Sequence, residues 1–135
     1  MNVKTGRNIL VALAIIAAAW LTFPKNHSKD DDPILHLDAA EFMEAVQDTT
    51  IILVDVRTAG EHAEGCIPHT RYNIDVMQKD FSQQASQLLP HGATVAIYCR
   101  SGNRSKKAAD ILASKGYKVI ELHTGYNGWV KWNSK

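Results

Sequence analysis

Residues 95–116, VAIYCRSGNRSKKAADILASKG, decide the fold prediction, because a short apolar run leads directly into an amphipathic one. The run at 95–98 is continuous, as in a strand that is buried on both faces of a parallel sheet. Apolar residues then recur at helical spacing over 104–115, and Gly116 ends the predicted helix. A strand followed at once by a helix is the repeating unit of α/β proteins.

The same alternation extends on both sides of this stretch. Residues 51–54 (IILV) and 119–122 (VIEL) predict two further buried strands. Helices are predicted over 39–46, 82–89 and 125–132, the first capped by Asp38 and the second ended by Pro90. We therefore predict one α/β domain over residues 34–135, with a parallel sheet and helices on both of its faces.

The loop at 99–105 has the properties of an anion site with a reactive thiol. Ligands of parallel sheets bind beyond the C-terminal ends of the strands, and Cys99 stands at such an end. Backbone N–H groups of a tight loop and a helix N-terminus stabilise a thiolate there and lower its pKa. The residues expected to bind a substrate beside this nucleophile are Arg100, Ser101, Gly102, Asn103, Arg104 and Ser105.

Four stretches together resemble the rhodanese family, in its single-domain form. They are residues 54–57 (VDVR), residues 61–68 (EHAEGCIP), the Cys99 loop, and Gly125 with Trp129. The resemblance implies the rhodanese-like fold and a catalytic Cys99 that takes a sulfane sulfur from thiosulfate or a similar donor. It also implies a Cys99 persulfide and a thiophilic acceptor such as cyanide or a thiol. An oxidising compartment would threaten a low-pKa thiolate, so a thioredoxin-like protein is a candidate reductant. No cofactor is expected.

The chain departs from the family pattern at two places near the predicted site. Residues 65–70 read GCIPHT where members of the family usually have GHIPGA, and Thr124 replaces the first of two paired glycines. These differences leave the nucleophile and its loop in place. They concern the wall of the pocket, and so the identity of the acceptor stays open.

Two other classes of function remain as alternatives. A cysteine phosphatase or arsenate reductase has a similar loop, but a longer one than the four residues that separate Cys99 from Arg104. A non-catalytic, membrane-tethered binding module is the other alternative, although such domains usually lack the cysteine. Asp55 and Arg57 are interpreted as an ion pair that supports the loop. Cys66 is either a packing residue or a second redox thiol.

Bulk composition excludes several further classes. The 135 residues carry a formal net charge of +1, so no nucleic-acid partner is indicated. Two cysteines cannot form a disulfide framework, and no metal-binding motif is present. His62, His69 and His123 are given no catalytic role. We expect a monomer that acts on small molecules.

Residues 1–23 have the pattern of a targeting segment. Lys4 and Arg7 precede the uncharged run ILVALAIIAAAWLTF at 9–23, which is typical of a signal peptide or a membrane anchor helix. Its 15 residues fall short of a usual span, and processing could follow Ala19. Residues 24–33 form a polar tether. We therefore expect the domain in a bacterial periplasm, either free or held by residues 9–23 at the periplasmic face of the inner membrane.

Overall fold

The computed structural model describes residues 32–135. The leader or anchor predicted for residues 1–23, and the tether up to residue 31, lie outside the described residues. Over 32–135, none of the helices combines the length and the apolar character that crossing a bilayer requires.

The described residues form a five-stranded sheet in which every neighbouring pair of strands is parallel. The strands are β1 (Ile34–Leu37), β2 (Ile52–Asp55), β3 (Tyr72–Asn73), β4 (Thr94–Tyr98) and β5 (Lys118–Leu122), in the order β1-β5-β4-β2-β3. The helices are α1 (Ala39–Ala45), α2 (Ala59–Glu64), α3 (Phe81–Leu88), α4 (Asn103–Ser114) and α5 (Gly125–Asn133). The predicted α/β architecture with a parallel sheet is confirmed.

Successive residues of the central strand β4 pack on opposite faces of the sheet, as the pleat requires. Val95 and Ile97 join an apolar cluster that includes Phe81 of α3 and Leu112 of α4. Ala96 and Tyr98 join a second cluster that includes Phe42 of α1 and, partly buried, Trp129 of α5. Helices therefore cover both faces, and the sheet is buried between them.

Three short elements were not predicted. Strand β1 is an edge strand of four residues, and β3 has only two. Helix α2 has six residues, none of them buried, so it shows no apolar stripe from which to predict it. Its signal is a capping box, in which Thr58 Oγ1 accepts the Glu61 N–H at 3.2 Å.

The order of the strands fixes the position of the predicted loop. Strand β4 is the middle strand, with β5 on one side and β2 on the other. Segments that follow all three strands therefore meet at one edge of the sheet, which is where ligands of such sheets bind.

Candidate active site

The loop after β4 is held against the turn between β5 and α5 by two glycines. Gly102, with φ +99°, lies so close to that turn that a Cβ would come within 2.1 Å of the His123 carbonyl oxygen. At Gly125, with φ +64°, a Cβ would come within 2.4 Å of the Arg100 carbonyl oxygen. Both positions need left-handed backbone and lack room for a side chain, so both require glycine.

Hydrogen bonds from the start of α5 hold the loop in this position. The Tyr126 N–H donates to the Cys99 carbonyl at 2.8 Å, and the Asn127 N–H donates to the Arg100 carbonyl at 3.1 Å. The carbonyls of Cys99 and Arg100 thus accept hydrogen bonds from α5. The N–H group of Gly102 donates to the sulfur.

The Cys99 thiol is almost fully buried, with 1% of the residue exposed. The Gly102 N–H donates to Sγ at 3.1 Å, and Ser105 Oγ lies 3.4 Å from Sγ. Burial alone would raise the pKa of the thiol. Hydrogen bonds from the Ser105 hydroxyl and from the N–H groups of Ser105, Gly102 and Ser101 outweigh burial and lower the pKa. This arrangement favours a thiolate nucleophile.

The two arginines of the loop have different surroundings. Arg104 forms a bidentate ion pair with Glu61 of α2, with Nη1–Oε1 at 2.7 Å and Nη2–Oε2 at 2.9 Å. Arg104 holds the pKa of the Glu61 carboxyl at about 2. Arg100 is exposed and lines a cleft of about 230 Å³. The other residues that line this cleft are Arg57, Glu61, Glu64, Gly65, Tyr126 and Asn127.

Asp55 and Arg57 form a buried ion pair at the end of β2. Arg57 Nη2 donates to Asp55 Oδ2 at 2.7 Å and to the Gly65 carbonyl at 2.6 Å. The guanidinium carbon lies 4.2 Å from the centre of the Tyr126 ring, on α5. His62 Nδ1 contacts Asp55 Oδ2 at 3.0 Å. Arg57 therefore connects β2, the segment after α2 and the last helix.

The other polar residues of the loop differ in their exposure to solvent. Ser105 is fully buried in the first turn of α4, whereas Ser101 and Asn103 are exposed.

Two positions outside the loop depart from the family pattern. Cys66 is half-buried and free. Thr124, which replaces a family glycine, fits because residue 128 is itself a glycine, whose added Cβ would lie 2.2 Å from Thr124 Oγ1.

The sequence alone indicated no role for three residues around this site, Glu61, Glu121 and His36. Glu61 reaches Arg104, and buried Glu121 reaches Ser105 at 2.5 Å and His36 at 2.6 Å. The signal for Glu121 was a lone carboxylate in the apolar run at 119–122. Its contact with His36 depends on the pairing of β1 with β5, and β1 was not predicted.

Comparison with known proteins matches this fold to one family. The model of the rhodanese-like domain matches residues 38–131. This chain belongs to the rhodanese-like family. It is 33% identical over 99 residues to a sulfurtransferase of Allochromatium vinosum, with 70% of this chain and 87% of that protein covered.

Further relatives agree with this assignment. The chain is 30% identical over 90 residues to the thiosulfate sulfurtransferase GlpE of Pseudomonas fluorescens, with 66% of this chain and 79% of that protein covered. Its fold is similar to the rhodanese-like domain of an Anabaena protein, with a TM-score of 0.65 and 21% identity, and 75% of each chain covered. The predicted family is therefore confirmed.

Proposed function

We propose that this protein is a sulfurtransferase whose nucleophile is Cys99. The observation that carries the proposal is the buried Sγ, which receives the Gly102 N–H at 3.1 Å and whose pKa is lowered. The Cys99 thiolate attacks the outer sulfur of thiosulfate or a similar donor. The S–S bond of the donor breaks, sulfite leaves with its electron pair, and Cys99 keeps the sulfur as a persulfide.

The second half-reaction passes this sulfur to an acceptor. A thiolate or cyanide attacks the terminal sulfur, the persulfide S–S bond breaks, and the Cys99 thiolate is restored. A thioredoxin-like dithiol is one acceptor of this chemical class. Because the enzyme alternates between two covalent forms, ping-pong kinetics are expected.

Arg100 is proposed as the main contact for the anionic donor. It is exposed, lines the cleft and belongs to the loop that carries Cys99. Arg104 is already neutralised by Glu61, so it contributes chiefly by fixing the start of α4. The exposed residues Ser101 and Asn103 would complete the donor site with hydrogen bonds.

A cyanide–thiosulfate assay separates this proposal from a non-catalytic binding module. The wild-type protein is expected to form thiocyanate, and Cys99→Ser is expected to form none while remaining folded. The matched control is Cys66→Ser, which should keep most of the activity because Cys66 is not in the loop. An inactive wild-type protein would favour the binding module, and phosphate release from a phosphate ester would favour a phosphatase.

The location of the domain is also a proposal. Lys4, Arg7 and the uncharged run at 9–23 support export to, or anchoring at, the outer face of a bacterial cytoplasmic membrane. The N-terminus of the mature protein distinguishes the two. A start at Trp20 would mean cleavage, whereas Met1 with carbonate-resistant membrane association would mean an anchor. A cytosolic protein with an intact leader would contradict both.

A further inference from the structure

A buried carboxylate that the proposed reaction does not use connects the active-site loop to the protein surface. Glu121 is fully buried on β5, on the face that packs against α4. Its two oxygens have different partners: Oε1 lies 2.5 Å from Ser105 Oγ, and Oε2 lies 2.6 Å from His36 Nδ1. Within residues 32–135 no other side chain hydrogen-bonds to it. A buried carboxylate with two short contacts needs an explanation.

The chain of contacts is continuous from the sulfur to solvent. Cys99 Sγ lies 3.4 Å from Ser105 Oγ, which bonds to Glu121, which bonds to His36. The first three groups are buried, whereas 51% of the His36 side chain is exposed. His36 and Glu121 are direct neighbours in the β1–β5 register, so the backbone fixes this contact.

We propose that Ser105, Glu121 and His36 form a proton path between the Cys99 thiol and solvent. The inference rests on the proposed function, because the thiolate that starts that reaction must form from a thiol that has almost no contact with water. Ser105 touches the reacting sulfur. Glu121 and His36 act on it only through Ser105.

Each proton that leaves one group of the path is taken up by the next group. In the thiol state, Cys99 donates to Ser105 Oγ, Ser105 donates to Glu121 Oε1, and one proton is shared by Glu121 Oε2 and His36 Nδ1. As the S–H bond breaks, its proton moves to Oγ, the hydroxyl proton moves to Oε1, and the shared proton settles on Nδ1. The imidazolium then loses its Nε2 proton to water. When the restored thiolate takes up a proton again, the same steps run in reverse.

The hydrogen-bond count of Ser105 supports this sequence. A hydroxyl carries one proton, and Ser105 Oγ lies near three acceptors: Glu121 Oε1, Cys99 Sγ and the Gly102 carbonyl, the last at 3.1 Å. Ser105 can donate to the thiolate while keeping its short contact with Glu121 only if Glu121 supplies the proton of that contact. The ionisation of Cys99 and the protonation of Glu121 are therefore coupled.

The groups that face the path from neighbouring elements lie on β1 and α4. His36 on β1 faces Glu121, Ser105 on α4 faces both Glu121 and Cys99, and Arg104 on α4 lies near the thiolate. Arg104 is paired with Glu61 and keeps its charge at every relevant pH. His36 is the group of the path that exchanges protons with solvent.

The test is the rate of persulfide formation in a single turnover of the full chain with thiosulfate, in dilute buffer. The pH is set so that Cys99 is mostly a thiol. His36→Ala is expected to slow this step roughly 10²-fold, the lower range for a positioned proton acceptor. Added imidazole should restore the rate. Glu121→Gln should be slow and insensitive to imidazole, because an amide cannot pass the proton on.

The matched control is His91→Ala, an exposed histidine outside the path, which should react at the wild-type rate. Wild-type rates in His36→Ala or Glu121→Gln would overturn the proposal. A slow His36→Ala that imidazole does not restore would overturn it as well, because His36 would then have only a structural role.

A second measurement does not depend on sulfur transfer. In a pH titration followed by NMR, the His36 ring signals of the wild type should show an extra step at the ionisation of Cys99. Cys99→Ser and Glu121→Gln should lack it. If the step is present but thiosulfate gives no persulfide, the proposed function fails and the path stands. If persulfide forms but the step is absent, the path fails and the function stands.

Discussion

At the scale of single residues, the reactivity of Cys99 depends on a competition between burial and hydrogen bonding. Burial disfavours the thiolate, whereas the loop N–H groups and the Ser105 hydroxyl stabilise it. The lowered pKa means that the Ser105 hydroxyl and the loop N–H groups together outweigh burial. Arg100 provides none of these hydrogen bonds, so its substitution should affect substrate binding more than thiolate formation.

Arg100→Ala tests the proposed donor contact at this scale. Loss of one charge-assisted contact at an exposed position should lower kcat/KM for thiosulfate about tenfold, chiefly through KM, since such contacts contribute about 1.5 kcal/mol. The free energy of unfolding should hardly change. Steady-state kinetics check this, with Lys107→Ala, an exposed cation on α4, as the control. Equal kinetics in both variants would remove Arg100 from the donor site.

At the scale of elements, the sequence allowed the long strands and helices to be predicted, but not the short ones. Strand β4 and helix α4 carry strong patterns, so the loop between them, and with it Cys99, could be located. Strands β1 and β3 are short and take their positions from pairing with the rest of the sheet, and helix α2 has no buried residue, so all three carry almost no pattern. The Glu61–Arg104 contact depends on α2 and the Glu121–His36 contact depends on β1, so neither was predicted.

Helix α2 is attached to α4 by the Glu61–Arg104 pair, which gives a testable dependence on pH. Arg104 lowers the pKa of Glu61 from 4.5 to about 2. The pair therefore stabilises the fold above pH 4.5 and ceases to do so as the pH falls through 2. Glu61→Gln should lower the free energy of unfolding at pH 7 by about 1 kcal/mol.

Urea unfolding at several pH values checks this expectation. The curves of wild type and Glu61→Gln should converge as the pH falls from 4.5 towards 2, because protonated Glu61 no longer pairs with Arg104. The control is Glu64→Gln on the same helix, which removes an exposed carboxylate that makes no ion pair within residues 32–135. A constant difference between wild type and Glu61→Gln at all pH values would contradict the assigned ion pair.

At the scale of the whole molecule, the parallel sheet brings the ends of β2, β4 and β5 together, and Arg57 joins the segments that follow them. It pairs with Asp55, donates to Gly65 and lies over Tyr126 of α5. Tyr126 in turn donates its N–H to the Cys99 carbonyl. The ion pair at the end of β2 therefore supports the Cys99 loop through the last helix.

Arg57→Met should show this role in stability. Methionine preserves much of the volume but leaves the buried Asp55 carboxylate without its main partner, which costs about 3–5 kcal/mol. The free energy of unfolding from urea titration measures the loss. Arg71→Met, at an exposed arginine, should change it little. A loss below about 1 kcal/mol for Arg57→Met would mean that water or rearrangement satisfies Asp55.

The central claim is that Cys99 carries the transferred sulfur, and intact-mass analysis of the full chain after incubation with thiosulfate tests it most directly. The wild-type protein and Cys66→Ser should each gain the mass of one sulfur atom, mapped to the peptide that contains Cys99 and lost on treatment with a thiol reductant. Cys99→Ser should gain nothing. A wild-type protein that gains no sulfur, or a sulfur that maps to Cys66, would contradict the account.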